Sequence, residues 1–362
     1  MSTFAYEIAG VLAHQERARP GDAAGPYALP WYLVVGEPES GRTTAIKRMN
    51  VHWPAGDEPL SIQAPQQMCT YWMPRGAVII EPEAPVMGPQ RNRTLLRELC
   101  AELAHRRPRE PIDALLLIVS CRTLADGGEH EAREHARALR AYVAEVTGYL
   151  AADVPIYVVA TGYDALWGFG DAFQWTAERK DEEPWGFTLP IDLAVADGHD
   201  RIKIEIEGLM ARIESVCFGK LSTEEPPPTR ARAFQHLLEA RALEAKLAAF
   251  FDRFTTANAF ERTPWVRALV LGSALPGSGQ ALRCLGAELA RLGLTLPAHS
   301  GTERPGGLPI YAMMDYVILP ERDLVPLRTR WRDDRAFIWT AILGCLLWLA
   351  AVAAAVIRTL VG

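Results

Sequence analysis

Short, wholly apolar runs punctuate this chain at Trp31–Val35, Ala77–Ile80, Ala114–Val119 and Ile156–Ala160. Runs of this length without polar alternation predict strands buried on both faces, the pattern of a parallel sheet covered on its two sides. Between the last two lies Glu129–Leu150, with Ala and Leu at helical spacing. Arg91–Arg106 repeats the amphipathic pattern until Pro108 ends it. A helix over Thr43–Met49 follows the first strand directly. Further on, Arg230–Phe254 predicts a long helix, Trp265–Leu271 one more strand, Pro276-Gly277-Ser278-Gly279 a turn, Gln280–Leu292 a helix, and Ala298–Pro309 an exposed loop.

The pattern changes at the end of the chain. From Ala336 to Ile357 no residue is charged, and Phe337, Trp339, Trp348 and Ile357 lie in a run that is apolar on every side. About 20 such residues span a bilayer as a helix. Arg328, Arg330, Arg332 and Arg335 precede the run and only Arg358 follows it. The positive-inside rule therefore predicts a single-pass inner-membrane anchor with the large N-terminal part in the cytoplasm. The prolines of Glu224-Glu225-Pro226-Pro227-Pro228-Thr229 predict a linker or sharp boundary. The expected organisation is an N-terminal segment over 1–25, a sheet-bearing domain over 26–222, and a helical extension with a possible returning strand over 223–335. A membrane helix over 336–358 completes it.

Composition narrows the function classes. The chain has 362 residues and a net charge of -6, which argues against a nucleic-acid-binding surface. Six scattered cysteines form no C-x-x-C pair, so neither a zinc site nor a redox motif is suggested, and reduced thiols are expected. His130 and His135 share one charged helix at a spacing that does not suit a metal, so a solvated face is expected for both. The tryptophans read as core, packing and membrane-interface groups.

The candidate chemistry lies where the first strand runs into Gly36-Glu37-Pro38-Glu39-Ser40-Gly41-Arg42-Thr43-Thr44. The phosphate-binding pattern G-x-x-x-x-G-K-[ST] needs a lysine for the β- and γ-phosphates and a hydroxyl for Mg²⁺. Gly36, Gly41 and Thr43 are in place, with Thr44 following, but Arg42 occupies the lysine position. Its planar guanidinium is no neutral replacement for a point charge. Glu39 stands where such loops often have glycine, and Glu37 adds a second carboxylate near any polyphosphate. After the second strand Glu81 could serve as a magnesium carboxylate, but Ala84 fills the glycine position of D-x-x-G. After the fourth strand Thr161-Gly162-Tyr163-Asp164 resembles the base-reading T-K-x-D, with Asp164 kept and the lysine replaced by Gly162. Coincident changes at three sites predict a degenerate site, so no cofactor is expected; ATP or GTP with Mg²⁺, held by Thr43 and Glu81, would bind if the site were functional.

Several ordered segments give the chain a wider resemblance. They are Leu29-Pro30-Trp31-Tyr32, Cys69-Thr70-Tyr71-Trp72, Arg107-Pro108-Arg109-Glu110-Pro111-Ile112, Pro155-Ile156-Tyr157-Val158, Trp185-Gly186-Phe187-Thr188-Leu189-Pro190 and the stretch from Tyr316 to Val325. In this order they resemble the cytoplasmic portion of the TssM/IcmF family, the inner-membrane subunit of type VI secretion systems. The family usually has two membrane helices before this portion and a periplasmic region after the next one, so the chain looks like a truncated or split form. The resemblance implies an α/β, P-loop NTPase-like, mostly parallel sheet with a helical extension and a C-terminal transmembrane helix. It implies a scaffold in an oligomeric membrane complex. Expected partners are a small inner-membrane subunit with a cytoplasmic hook domain (TssL-like) and baseplate components, with no nucleic acid. An active ATPase or GTPase using Arg42 and Glu81, and a regulatory decoy of a full-length family member, are the alternative readings.

Overall fold

The computed structural model describes residues 2–49, 59–62, 66–73, 76–88, 90–173, 184–259, 261–273, 281–294, 308, 310, 313–325 and 342. Its centre is a seven-stranded sheet: β1 (Trp31–Val35), β2 (Cys69–Trp72), β3 (Val78–Pro82), β4 (Ala114–Ser120), β5 (Ile156–Thr161), β6 (Gly186–Thr188) and β7 (Val266–Leu271). The order across the sheet is β2-β3-β1-β4-β5-β7-β6. The five inner strands are parallel, and β2 and β6 run antiparallel at the two edges. Every residue of β4 is buried, as a central parallel strand requires. The predicted runs thus form the core of the sheet, and the strand expected near Trp265–Leu271 returns to it between β5 and β6. β2 and β6 were not predicted. Each is short and pairs antiparallel at an edge, so neither carries the long apolar run that marks the inner strands.

The helices are α1 (Thr3–Ala18), α2 (Arg42–Arg48), α3 (Ala84–Met87), α4 (Arg93–Arg106), α5 (Cys121–Asp126), α6 (Glu129–Leu150), α7 (Phe169–Ala172), α8 (Gly198–Leu221), α9 (Pro227–Thr255) and α10 (Gly286–Arg291). The prolines at 226–228 begin α9. A proline in a first helical turn has no N–H to lose, so the run starts a helix that packs against α8 and α6. The N-terminal stretch carries α1, capped by the Ser2 hydroxyl, with Phe4, Ile8 and Val11 buried.

The two faces of the sheet are clothed differently. Odd-numbered positions of β1, such as Trp31, Leu33 and Val35, pack in one large cluster with α1, α4, α5, α6, α8 and α9. On the other face Tyr32, Val34, Leu116, Ile118, Tyr157 and Val159 cluster with Ala45 and Ile46 of α2, Met49, and Ile310, Met313, Met314 and Ile318, with Val317 and Leu319 packed against them. The last group lies on a strap that crosses the thin face. It is tied at one end by Leu308 N–H donating to Ser273 Oγ at 2.6 Å. A π-helical turn follows at Met314–Ile318. Beyond it Glu321 receives the Tyr157 hydroxyl at 2.6 Å and two Arg267 donors at 3.0 and 2.6 Å. Tyr157 and Arg267 lie near the starts of β5 and β7, so the strap ends at the N-terminal edge of the parallel strands. The same edge holds a buried Arg107–Asp113 ion pair at 3.2 Å, with Asp113 also accepting from Trp31 N–H at 2.6 Å.

Among the described residues no helix is long and apolar enough to cross a membrane. Apart from Ile342, the run expected to span, with Phe337, Trp339, Trp348 and Ile357, lies outside the described residues, as do the 276–279 turn and nearly all of the 298–309 loop. The five described cysteines are free and buried.

His236 of α9 is fully buried between Tyr163 Oη at 3.2 Å and the Trp167 carbonyl at 3.2 Å. Burial pushes its pKa down to about 4 from 6.5. The unfolded chain therefore binds a proton that the fold refuses between pH 6.5 and 4, and stability falls as pH is lowered through that window. Glu110 works in the opposite sense. Burial raises it from 4.5 to about 7, so its contribution is lost as pH rises from 4.5 to 7. The two effects overlap in wild type, and a variant separates them. Between pH 7 and pH 5, His236→Phe should escape about 2 kcal/mol of the acid-side loss that His236 imposes on wild type. Urea unfolding of both proteins at the two pH values checks this; identical pH dependence would contradict a neutral buried His236.

Candidate functional site

The loop Gly36–Gly41 sits where β1 hands over to α2, and β1 is the strand from which the sheet order runs to both sides. The carboxyl ends of strands at such a turning point form a crevice that commonly takes ligands in open α/β sheets. Local sequence makes the loop tight. A side chain at Gly36 would come within 3.0 Å of Ile118 and 3.1 Å of Ser40 Oγ. Gly41 precedes α2 at φ 84°, a left-handed conformation that glycine adopts without strain. Glu39 is also left-handed, at φ 63°, at a cost of about 1 kcal/mol for a residue with a Cβ. The loop is fixed from β5 by Thr161 Oγ1, which donates to the Ser40 carbonyl at 2.5 Å.

Arg42, Thr43 and Glu81 come together, but on one another. Glu81 is 5% exposed near the end of β3. Thr43 Oγ1 donates to its Oε1 at 2.8 Å and the Trp72 indole to its Oε2 at 3.0 Å. Arg42 turns toward the same strand. Its guanidinium donates to the Pro82 carbonyl at 2.8 Å and stands 3.8 Å from Glu81 Oε1. The guanidinium thus lies beside the carboxylate that Thr43 and Trp72 engage. Thr44 is buried in α2. Ala84 opens α3, with Pro85 next to it, so helix begins at the position of the missing glycine. Gly162 is left-handed at φ 78° and Asp164 is buried in the 3-10 turn Tyr163–Ala165.

Two contributors escaped the sequence reading. Trp72 lies on β2 opposite Ile79, and its diagonal neighbour on the same face is Glu81. Only knowledge of that antiparallel pairing brings the two together. His135, expected on a solvated face, is instead largely covered, with its side chain 7% exposed and Nδ1 3.4 Å from Glu37. This contact holds the Glu37 carboxyl below its ordinary pKa. The correction has a tertiary cause: α6 packs over β1, so a helix position that looks charged-side faces the loop. No group of acidic, histidine and cysteine side chains suited to a metal occurs among the described residues.

The chain has informative likenesses. A family model described as the IcmF-related N-terminal domain matches residues 89–346, a match that begins after the loop and β3. The "Type VI secretion system component TssM1" of Pseudomonas aeruginosa is 26% identical over 325 residues, covering 84% of this chain and 29% of that protein. The chain therefore spans less than a third of that relative. A crystal structure of an SsGBP variant is 14% identical, covers 45% of this chain and 47% of its own, and has a TM-score of 0.24, too low to carry an argument.

If Glu81 is the shared acceptor, Trp72→Phe and Thr43→Val should each lower the unfolding free energy by about 1.5–3 kcal/mol, the range for hydrogen bonds involving charged groups. The double variant should depart from additivity by more than about 0.5 kcal/mol. Urea unfolding of the four proteins measures this, and strict additivity would show that the two side chains do not meet through Glu81.

Proposed function

This chain belongs to the IcmF-related N-terminal domain family, to which the TssM/IcmF proteins belong, and on that premise we propose that it is a scaffold subunit of a type VI-like secretion membrane complex with a P-loop NTPase-like domain whose nucleotide site is degenerate. One observation carries the degeneracy. Glu81 is already satisfied by Thr43 and Trp72, with Arg42 beside it, so Mg²⁺ would have to displace an internal guanidinium and compete for the hydroxyl. Glu39 in the loop and Ala84 and Gly162 beyond it each remove or crowd a contact that nucleotide would use. The chain is held in the inner membrane through the apolar run 336–357, with the sheet in the cytoplasm. A small membrane subunit with a cytoplasmic hook domain and baseplate components are its proposed partners, in an oligomeric complex.

Calorimetry with Mg²⁺-ATP and Mg²⁺-GTP tests the site. Each lost charge-assisted phosphate contact weakens affinity by roughly one to two orders of magnitude. Binding should be weak or absent, hydrolysis should stay at background, and Arg42→Lys alone should not restore turnover. Micromolar binding with turnover that disappears in Thr43→Ala would overturn the proposal in favour of an enzyme. For the anchor, the protein should resist carbonate extraction, and removal of residues after Arg335 should release a soluble domain. A truncated form that stays in the membrane fraction by itself would require another anchor.

A further inference from the structure

The strap crosses the thin face of the sheet from one edge to the other. It passes from Leu308, held by Ser273 just beyond the end of β7, to Glu321, held by Tyr157 and Arg267 near the starts of β5 and β7. Ile310 presses against Gly272, where an added Cβ would lie 2.8 Å from Ile310 Cδ1. The Tyr32 hydroxyl donates to the Ile318 carbonyl at 3.4 Å. Both members of the Arg267–Glu321 pair are largely buried, with side chains 2% and 12% exposed. Arg267 is further fixed by the Leu189 and Pro190 carbonyls at 2.6 and 2.8 Å. Glu321 is thus held at the edge opposite the Gly36–Gly41 loop, and Val325, four residues on, is 5% exposed.

The segment 326–335 lies between Val325 and the apolar run in sequence, and ten residues reach at most about 35 Å. It carries Arg328, Arg330, Arg332 and Arg335, side chains that favour an anionic headgroup layer and shorten the usable tether. We propose that the Arg267–Glu321–Tyr157 clamp sets the orientation of the domain on the membrane: the N-terminal edge of the parallel strands faces the lipid surface, and the loop edge, with Arg42 and Glu81, faces away from it. The proposal rests on reading 336–357 as a membrane span. It makes the loop edge the surface open to cytoplasmic partners and the Arg107–Asp113 edge the one shielded by lipid.

Energy transfer to headgroup-labelled lipid tests this in the full-length protein reconstituted in vesicles of phosphatidylethanolamine and phosphatidylglycerol. Arg109 and Arg122 are exposed at the two ends of β4. The five described cysteines are buried, so a thiol dye on Arg109→Cys or Arg122→Cys, in a Cys345→Ala background, reports one edge at a time. The seven residues of β4 separate the edges by about 23 Å, so transfer from position 109 should exceed that from 122 about two-fold or more. Glu321→Gln should bring the ratio toward unity while the protein still floats with the vesicles. Equal transfer from the two positions in protein that floats, or greater transfer from 122, overturns the orientation alone. Protein that fails to float overturns the span and the orientation with it. A ratio unchanged by both Glu321→Gln and Tyr157→Phe would remove the clamp as its cause.

Discussion

Glu81 is a carboxylate withdrawn from water, and the arrangement of the loop edge depends on how it is satisfied. A buried carboxylate left without donors costs several kcal/mol, so its neighbours must supply them. Thr43 approaches from α2, Trp72 from the edge strand β2, and Arg42 stands alongside while bonding the next carbonyl of β3. These contacts join the edge strand, the end of β3 and the first turn of the loop helix into one unit. In a working nucleotide switch the same ground is held by a cation and phosphate that come and go. Here Thr43, Trp72 and Arg42 stand around the carboxylate instead.

The rest of the fold follows a similar economy of positions. A parallel sheet needs both faces covered, and this one covers one face with packed helices and the other with α2 and a strap. The strap is a core element of that second face. Met313, Met314 and Ile318 bury the thin face, and Glu321 locks the end of the strap to Arg267. The clamp and core packing are therefore coupled, since loosening one end of the strap exposes apolar surface of β1, β4 and β5.

The inner strands were legible in the sequence because burial on both faces leaves uninterrupted apolar runs, and Glu129–Leu150 because one stripe of Ala, Leu and Val repeats at helical spacing. α8 was not, since Ile204 and Phe218 face outward and blur its period. β2 and β6 were missed because antiparallel edge strands are short and carry mixed side chains. At the site, the glycine spacing, Arg42, Thr43 and Glu81 were readable from the loop pattern, and so was their departure from it. Trp72 and His135 were not, because their roles arise from strand pairing and helix docking. The prolines at 226–228 show the same limit: their chemistry allows a boundary or a helix start, and packing of α9 on α8 and α6 decides.

The central claim is that the loop edge is already complete without a ligand. Amide hydrogen exchange across residues 36–43 in the presence and absence of millimolar Mg²⁺-ATP or Mg²⁺-GTP measures this directly. Exchange across these residues should be identical in all three conditions. Slower exchange confined to these residues on adding Mg²⁺-nucleotide would contradict it, showing that Arg42 gives way and that the site takes the ligand it was thought to exclude.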